Sequence, residues 1–143
     1  RNIRTSNLPM KSKFYRDGRY IFVCESNLGN EIEGTFSVYD SNTGEKCKSI
    51  TLDKSPIDMY FDYLGNTIFV SNYLGNSISI IDLSIFKEIS RIEICGSPRG
   101  INKIGRFLYV TISDKDTLLK YDIYTQNEKF IKTGSEPTCM YVY

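Results

Sequence analysis

Apolar and polar positions alternate through residues 66–94 in a pattern that the rest of the chain repeats. Residues 67–71, Thr-Ile-Phe-Val-Ser, are rich in β-branched and aromatic side chains, which suit a pleated, half-buried surface. Asn72, Gly75 and Asn76 follow, residue types that tolerate the positive φ of a tight reversal. Residues 77–82 then alternate Ser with Ile before Asp82, as a strand with one face on a core does. Ile85, Phe86, Ile89 and Ile92 fall at helical spacing, so the third run taken alone fits an amphipathic helix.

The flanking copies decide between helix and strand. Residues 35–40 match 77–82 and lead through Asn42, Thr43 and Gly44 into a run at 47–52. Residues 117–122 lead in the same way through Thr125, Gln126 and Asn127 into 129–132. Stacked repeats must offer their neighbours the same surface, so a turn and strand in two copies predicts a turn and strand in the third. Residues 87–94 are therefore read as a strand.

Anchor residues set the period. Pro9, Pro56, Pro98 and Pro137 lie 47, 42 and 39 residues apart, and Asp40, Asp82 and Asp122 lie 42 and 40 apart. Four short strands every forty-odd residues is the period of a propeller blade. The expected fold is all-β: one propeller segment over 1–143, with four-stranded antiparallel blades at about 8–54, 55–96 and 97–134 and the first strand of a fourth at 135–143. Residues 3–5 fit either the outer strand of an earlier unit or a frayed end.

Composition narrows the function classes. Lys plus Arg number 18 against 17 Asp plus Glu, interspersed, so no charged stripe marks a nucleic-acid or anionic-membrane surface. No apolar run reaches the length of a membrane span. The absence of His removes a histidine general base, Ser-His-Asp and Cys-His constellations and imidazole ligation. Cys24, Cys47, Cys95 and Cys139 are never closely paired, which argues against zinc or cluster ligation and for buried, unpaired thiols. Unpaired thiols point to a cytoplasmic compartment, with the cell surface as the alternative. No metal, cofactor or catalytic residue is assigned.

Phe69-Val70-Ser71-Asn72 and Tyr109-Val110-Thr111-Ile112 each follow a Gly-containing turn and precede a strand ending in Asp. With the leading Pro and the closing Gly96-Ser97-Pro98 and Gly134-Ser135-Glu136-Pro137, they resemble the YVTN repeats of bacterial and archaeal β-propellers. Repeat one departs from the pattern, with Glu25 at the place of Asn72 and no Gly before Pro9. The resemblance implies a ring of about seven blades, with ligands on the face formed by the loops joining strands two to three and four to one. Three blades and a strand leave sheet edges and a blade face uncovered, so the rest of the ring is expected from further blades of the same protein or from a second subunit.

The recurrent Asp40, Asp82 and Asp122 read as turn caps, because a unique site does not repeat in every blade. Candidates for ligand or partner binding are the non-repeating residues. Asp58 and Arg99 follow the leading prolines; Glu25, Asn72 and Asp114 stand where second strands enter their loops; Tyr73 adds an aromatic surface. The leading function is a non-enzymatic binding or assembly scaffold for protein or glycan partners. Part of a lactonase-like or dehydrogenase-like propeller enzyme, with catalytic residues outside this chain, is one alternative, and a cell-surface structural module is another.

Overall fold

A computed structural model describes residues 2–141. Among them, three four-stranded antiparallel sheets follow one another along the chain. The first contains β1 (Pro9–Phe14), β2 (Tyr20–Glu25), β3 (Glu33–Asp40) and β4 (Lys46–Lys54). The second contains β5 (Pro56–Asp62), β6 (Thr67–Asn72), β7 (Ser77–Asp82) and β8 (Lys87–Glu93). The third contains β9 (Pro98–Ile104), β10 (Phe107–Ile112), β11 (Thr117–Asp122) and β12 (Glu128–Lys132), with a single 3₁₀ turn at Ser113–Lys115. Each sheet is a meander in which strands adjacent in sequence pair. The chain is a partial β-propeller, and the sheets are its blades.

The stretch with helical spacing is β8. Its periodicity misleads because Phe86 is a turn residue with φ of 49° rather than a member of a helical face. Gly44 and Gln126 occupy the same place, four residues after Asp40 and Asp122, and also have positive φ. Each Asp caps this turn: Asp40 Oδ1 accepts the amides of Asn42 and Thr43, Asp82 Oδ1 that of Ser84, and Asp122 Oδ1 those of Tyr124 and Thr125. Asn66 and Asn76 supply the left-handed residues of the other turns in blade 2.

The blades pack face to face. Phe22, Cys24, Phe36, Val38 and Leu52 of blade 1 meet Met59, Phe61, Ile68, Val70, Ile81 and Phe86 of blade 2. On its other side blade 2 presents Phe69, Ile78 and Ile94 to Ile101, Leu108, Val110, Ile112, Leu119 and Tyr121 of blade 3. Strands β1, β5 and β9 lie side by side along the inner rim, while β8 and β12 are largely exposed outside. Phe86 tolerates a left-handed backbone, which costs about 1–2 kcal/mol, because its ring is buried against Phe22 and Phe36 across the interface.

At the far side of blade 3, Tyr109 and Leu118 are only half-buried, although Phe69 and Ile78 at the matching positions are buried between blades, and Phe107 beside them is half-buried too. Lys120 lies over the Phe107 ring at 4.0 Å. Residues 135–141 run beside β9, where a Cβ on Gly100 would lie 2.8 Å from Thr138 O. The segment thus occupies the flank of β9, as β9 itself flanks β5, without a ladder partner among the described residues. The cysteines need correction: Cys24 alone is buried, because Cys47 and Cys95 lie at the outer strands and their loops and Cys139 lies on the segment after blade 3.

At the other end residues 3–6 cross part of the free face of blade 1 and carry no strand, leaving Phe14 exposed. Beneath them Glu25, 1% exposed, accepts hydrogen bonds from Ser6 N at 2.8 Å, Thr35 Oγ1 and Ser37 Oγ at 2.7 Å each, and the Tyr39 hydroxyl. Lys46 Nζ completes the set, 3.1 Å from Glu25 and 2.6 Å from Ser6 Oγ. Burial opposes ionisation, but the donated hydrogen bonds outweigh it and bring the Glu25 carboxyl down from 4.5 to about 2.

Two outcomes follow from these observations. Gln126→Gly removes a left-handed side chain that buries nothing and is expected to leave stability unchanged or raise it by up to about 1 kcal/mol. Phe86→Gly, at the matching turn, is expected to cost at least about 2 kcal/mol, because the lost ring outweighs the relieved backbone; urea denaturation compares the two. For Glu25, a lowered folded-state pKa means stabilisation that is complete above pH 4.5 and lost as pH falls toward 2. Wild-type stability should therefore drop by about 3 kcal/mol more than that of Glu25→Gln across this window, measured by denaturation at stepped pH.

Candidate functional site

The inner rim is where strands from all three blades come within reach of one another. Each first strand opens with proline, and the residues just after it face a common cleft of about 180 Å³. Met10 and Lys11 come from β1, Ile57 and Asp58 from β5, Arg99 from β9, and Thr138 and Cys139 from the following segment. Repetition of the blade thus places non-equivalent side chains at equivalent sites around one opening.

Asp58 ties this rim together. Its Oδ1 lies 3.4 Å from Lys11 Nζ, and its Oδ2 accepts the Ile101 amide at 3.1 Å, so one carboxylate links β1, β5 and β9. Lys13 Nζ donates to Met59 O at 2.7 Å, a second link between β1 and β5. Burial lowers the pKa of that ammonium, and nearby Asp58 opposes the effect. On β9, Arg99 O accepts from Ser71 Oγ at 2.6 Å, which fixes its backbone against blade 2. The Arg99 guanidinium stacks on Tyr73, 4.8 Å from the ring centroid.

Of the six residues singled out from sequence, Asp58, Tyr73 and Arg99 therefore gather at the inner rim. Glu25 and Asn72 share one register position, each opposite the leading proline of its blade, and both face away from the cleft. Glu25 is held in the network under residues 3–6. Asn72 is fully buried between blades 1 and 2, where Nδ2 donates to Ser77 Oγ at 3.1 Å and Ser79 Oγ at 2.8 Å. Ser77 Oγ in turn donates to Asp53 at 2.8 Å. Ile112 fills the same position in blade 3, so this site varies from charge to amide to hydrocarbon. Asp114 is exposed and accepts the Ser97 amide at 2.7 Å, holding the loop that enters β9.

Sequence reasoning missed Lys11, Thr138 and Cys139. Their signal was present: Lys11 stands two residues after Pro9 as Asp58 stands two after Pro56, and Thr138 and Cys139 directly follow Pro137. A second cleft, of about 320 Å³, opens between blades 1 and 2 at the opposite end of the strands. Tyr15, Tyr20, Phe22 and Phe86 line it, with Lys48 beside them, and in the sequence these aromatics are indistinguishable from core.

Comparison with known proteins places this geometry in a fold. No family model matches the chain. No curated protein matches it. Among solved structures it is similar to hydrazine synthase of Kuenenia stuttgartiensis, with 21% identity and a TM-score of 0.74 over 92% of this chain and 38% of that one. A structure of a nidogen/laminin complex gives 10% identity and a TM-score of 0.76 over 94% of this chain and 52% of that one. The β-propeller domain of Cps50 (Swd1) from Myceliophteria thermophila gives 15% identity and 0.71 over 91% and 40%. The chain spans between about two-fifths and a half of these structures' length, and at such identities the likeness establishes the fold, a partial β-propeller.

Proposed function

We propose that this chain is a stretch of a YVTN-type propeller of the bacterial kind that serves as a non-enzymatic binding or assembly scaffold. Its inner rim, with Asp58, Arg99 and Tyr73 joined by Lys11, contacts a protein or glycan partner. The observation that carries the reading is the Arg99 guanidinium stacked on Tyr73 beside a cleft to which three consecutive blades contribute. Arg and Tyr are the side chains most enriched where interfaces draw their binding energy, and a stacked pair loses little entropy on contact. One solved neighbour, nidogen with laminin, is itself a protein–protein complex, which supports a protein partner.

Completion of the ring belongs to the same proposal. The half-buried Tyr109 and Leu118 occupy positions that a following blade covers elsewhere in the molecule. Further blades of the same protein, or a second subunit, supply that cover. At the other end Phe14 is 62% exposed where its counterpart Phe61 is 6% exposed, so a preceding blade would find an apolar site there too.

Peptide and glycan arrays probed with the labelled chain test the binding reading. Ligands bound by wild type should lose tenfold or more in signal with Arg99→Ala, which removes a charged hydrogen-bonding partner, and with Tyr73→Ala, which removes the aromatic anchor beneath it. Lys87→Ala, on the outer strand β8, should leave them unchanged. A ligand profile indifferent to both inner-rim substitutions contradicts the proposal.

A further inference from the structure

Arg99 is the one positively charged side chain among the described residues whose buried polar atom lacks a hydrogen-bond partner. Its Nε is buried without a hydrogen-bond partner, and among the described residues the guanidinium has no carboxylate partner. Leaving a buried N–H unsatisfied costs about 1–3 kcal/mol, and more for a charged group, so native proteins pair such atoms. Asp58 lines the same cleft; its Oδ2 accepts the Ile101 amide, and its Oδ1, buried without a hydrogen-bond partner, lies 3.4 Å from the Lys11 ammonium. Lys11 and Lys13 both lie near Asp58, and Arg99 is the rim guanidinium that no carboxylate reaches among the described residues.

From this we infer that Arg99 is a receptor for a carboxylate, and the inference rests on the inner-rim reading above. The Tyr73 ring holds the guanidinium, with Cζ 4.8 Å from its centroid, and guanidinium N–H groups match the two oxygens of a planar carboxylate. Met10 and Ile57 give the cleft apolar walls suited to a short alkyl stem. Asp58 adds one negative charge to the cleft and Lys11 one positive charge, so removing the first strengthens and removing the second weakens the pull on a bound carboxylate. A free short-chain acid and an acidic side chain of a protein partner share this chemistry.

The test follows the Arg Nε–Hε resonances of the ¹⁵N-labelled chain by NMR, the Arg99 signal being the one absent from Arg99→Gln. Titrants are acetate, succinate and a capped Glu-Glu peptide, with chloride and phosphate as controls at matched ionic strength. The Arg99 signal should shift saturably with the carboxylates and not with chloride. Asp58→Asn should tighten carboxylate binding at least threefold, and Lys11→Met should weaken it, a pair of opposite signs that general damage to the rim does not produce. A peptide affinity tenfold or more above that of acetate identifies a protein side chain as the source, and equal affinities identify a free acid. Equal response to chloride, a preference for phosphate, or no tightening in a well-dispersed Asp58→Asn spectrum overturns the assignment. If the Arg99 signal ignores carboxylates while array binding still depends on Arg99 and Tyr73, carboxylate recognition fails and the inner-rim reading stands; if both fail, that reading falls as well.

Discussion

Burial of one blade's apolar face against the next is the constraint on which the rest of this molecule depends. A four-stranded sheet has two faces and cannot cover either by itself, so each blade needs a neighbour. The contact between blades 1 and 2 shows how fully this is met, with Phe22 edge-on to Phe61 at 5.2 Å and Phe36 stacked on Phe86 at 6.2 Å. Every fully buried side chain of this size contributes about 1.5–3 kcal/mol. The turns accommodate this packing, to the point that Phe86 accepts a left-handed backbone to keep its ring in the interface.

With the blades held by their apolar faces, the residues after each leading proline are free to vary, and this variation makes the rim chemically specific. One repeat places Lys11, another Asp58, the third Arg99, all facing the same cleft. The position opposite the proline varies as well, but inside the packing: Glu25 is stabilised by five donors, Asn72 by two serine hydroxyls, and Ile112 by hydrocarbon. Polar groups at that position are therefore parts of the scaffold, whereas Lys11, Asp58 and Arg99 line the open cleft.

Periodicity made the strands and the three turn aspartates legible, because alternation and turn capping are local properties that each blade repeats. Phe86 gave a false helical signal since a single left-handed turn residue shifted the phase of the apolar positions. The gathering of Asp58 and Arg99 could be anticipated once a propeller was assumed. The stacking of Tyr73 on Arg99 could not, because it joins a loop of blade 2 to the first strand of blade 3 across the interface. Glu25 looked like a rim residue, and its burial became visible only when residues 3–6 were seen to lie over it. Cys47, Cys95 and Cys139 show the limit of residue-type preference: cysteine favours interiors, yet these three lie at the outer strands, their loops and the terminal segment, where the fold offers no interior.

The central claim, that stability resides in contacts between blades, is tested most directly by a double-mutant cycle on Phe22 and Phe61. The single substitutions Phe22→Leu and Phe61→Leu keep apolar volume, and the pair is compared in urea denaturation with the distant pair Val23→Ala and Ile101→Val. A coupling of about 0.5–1.5 kcal/mol for the aromatic pair, and none for the distant pair, is the result expected of rings that meet across the interface. Strict additivity of Phe22 and Phe61 would mean that the blades stand independently, and would contradict the account.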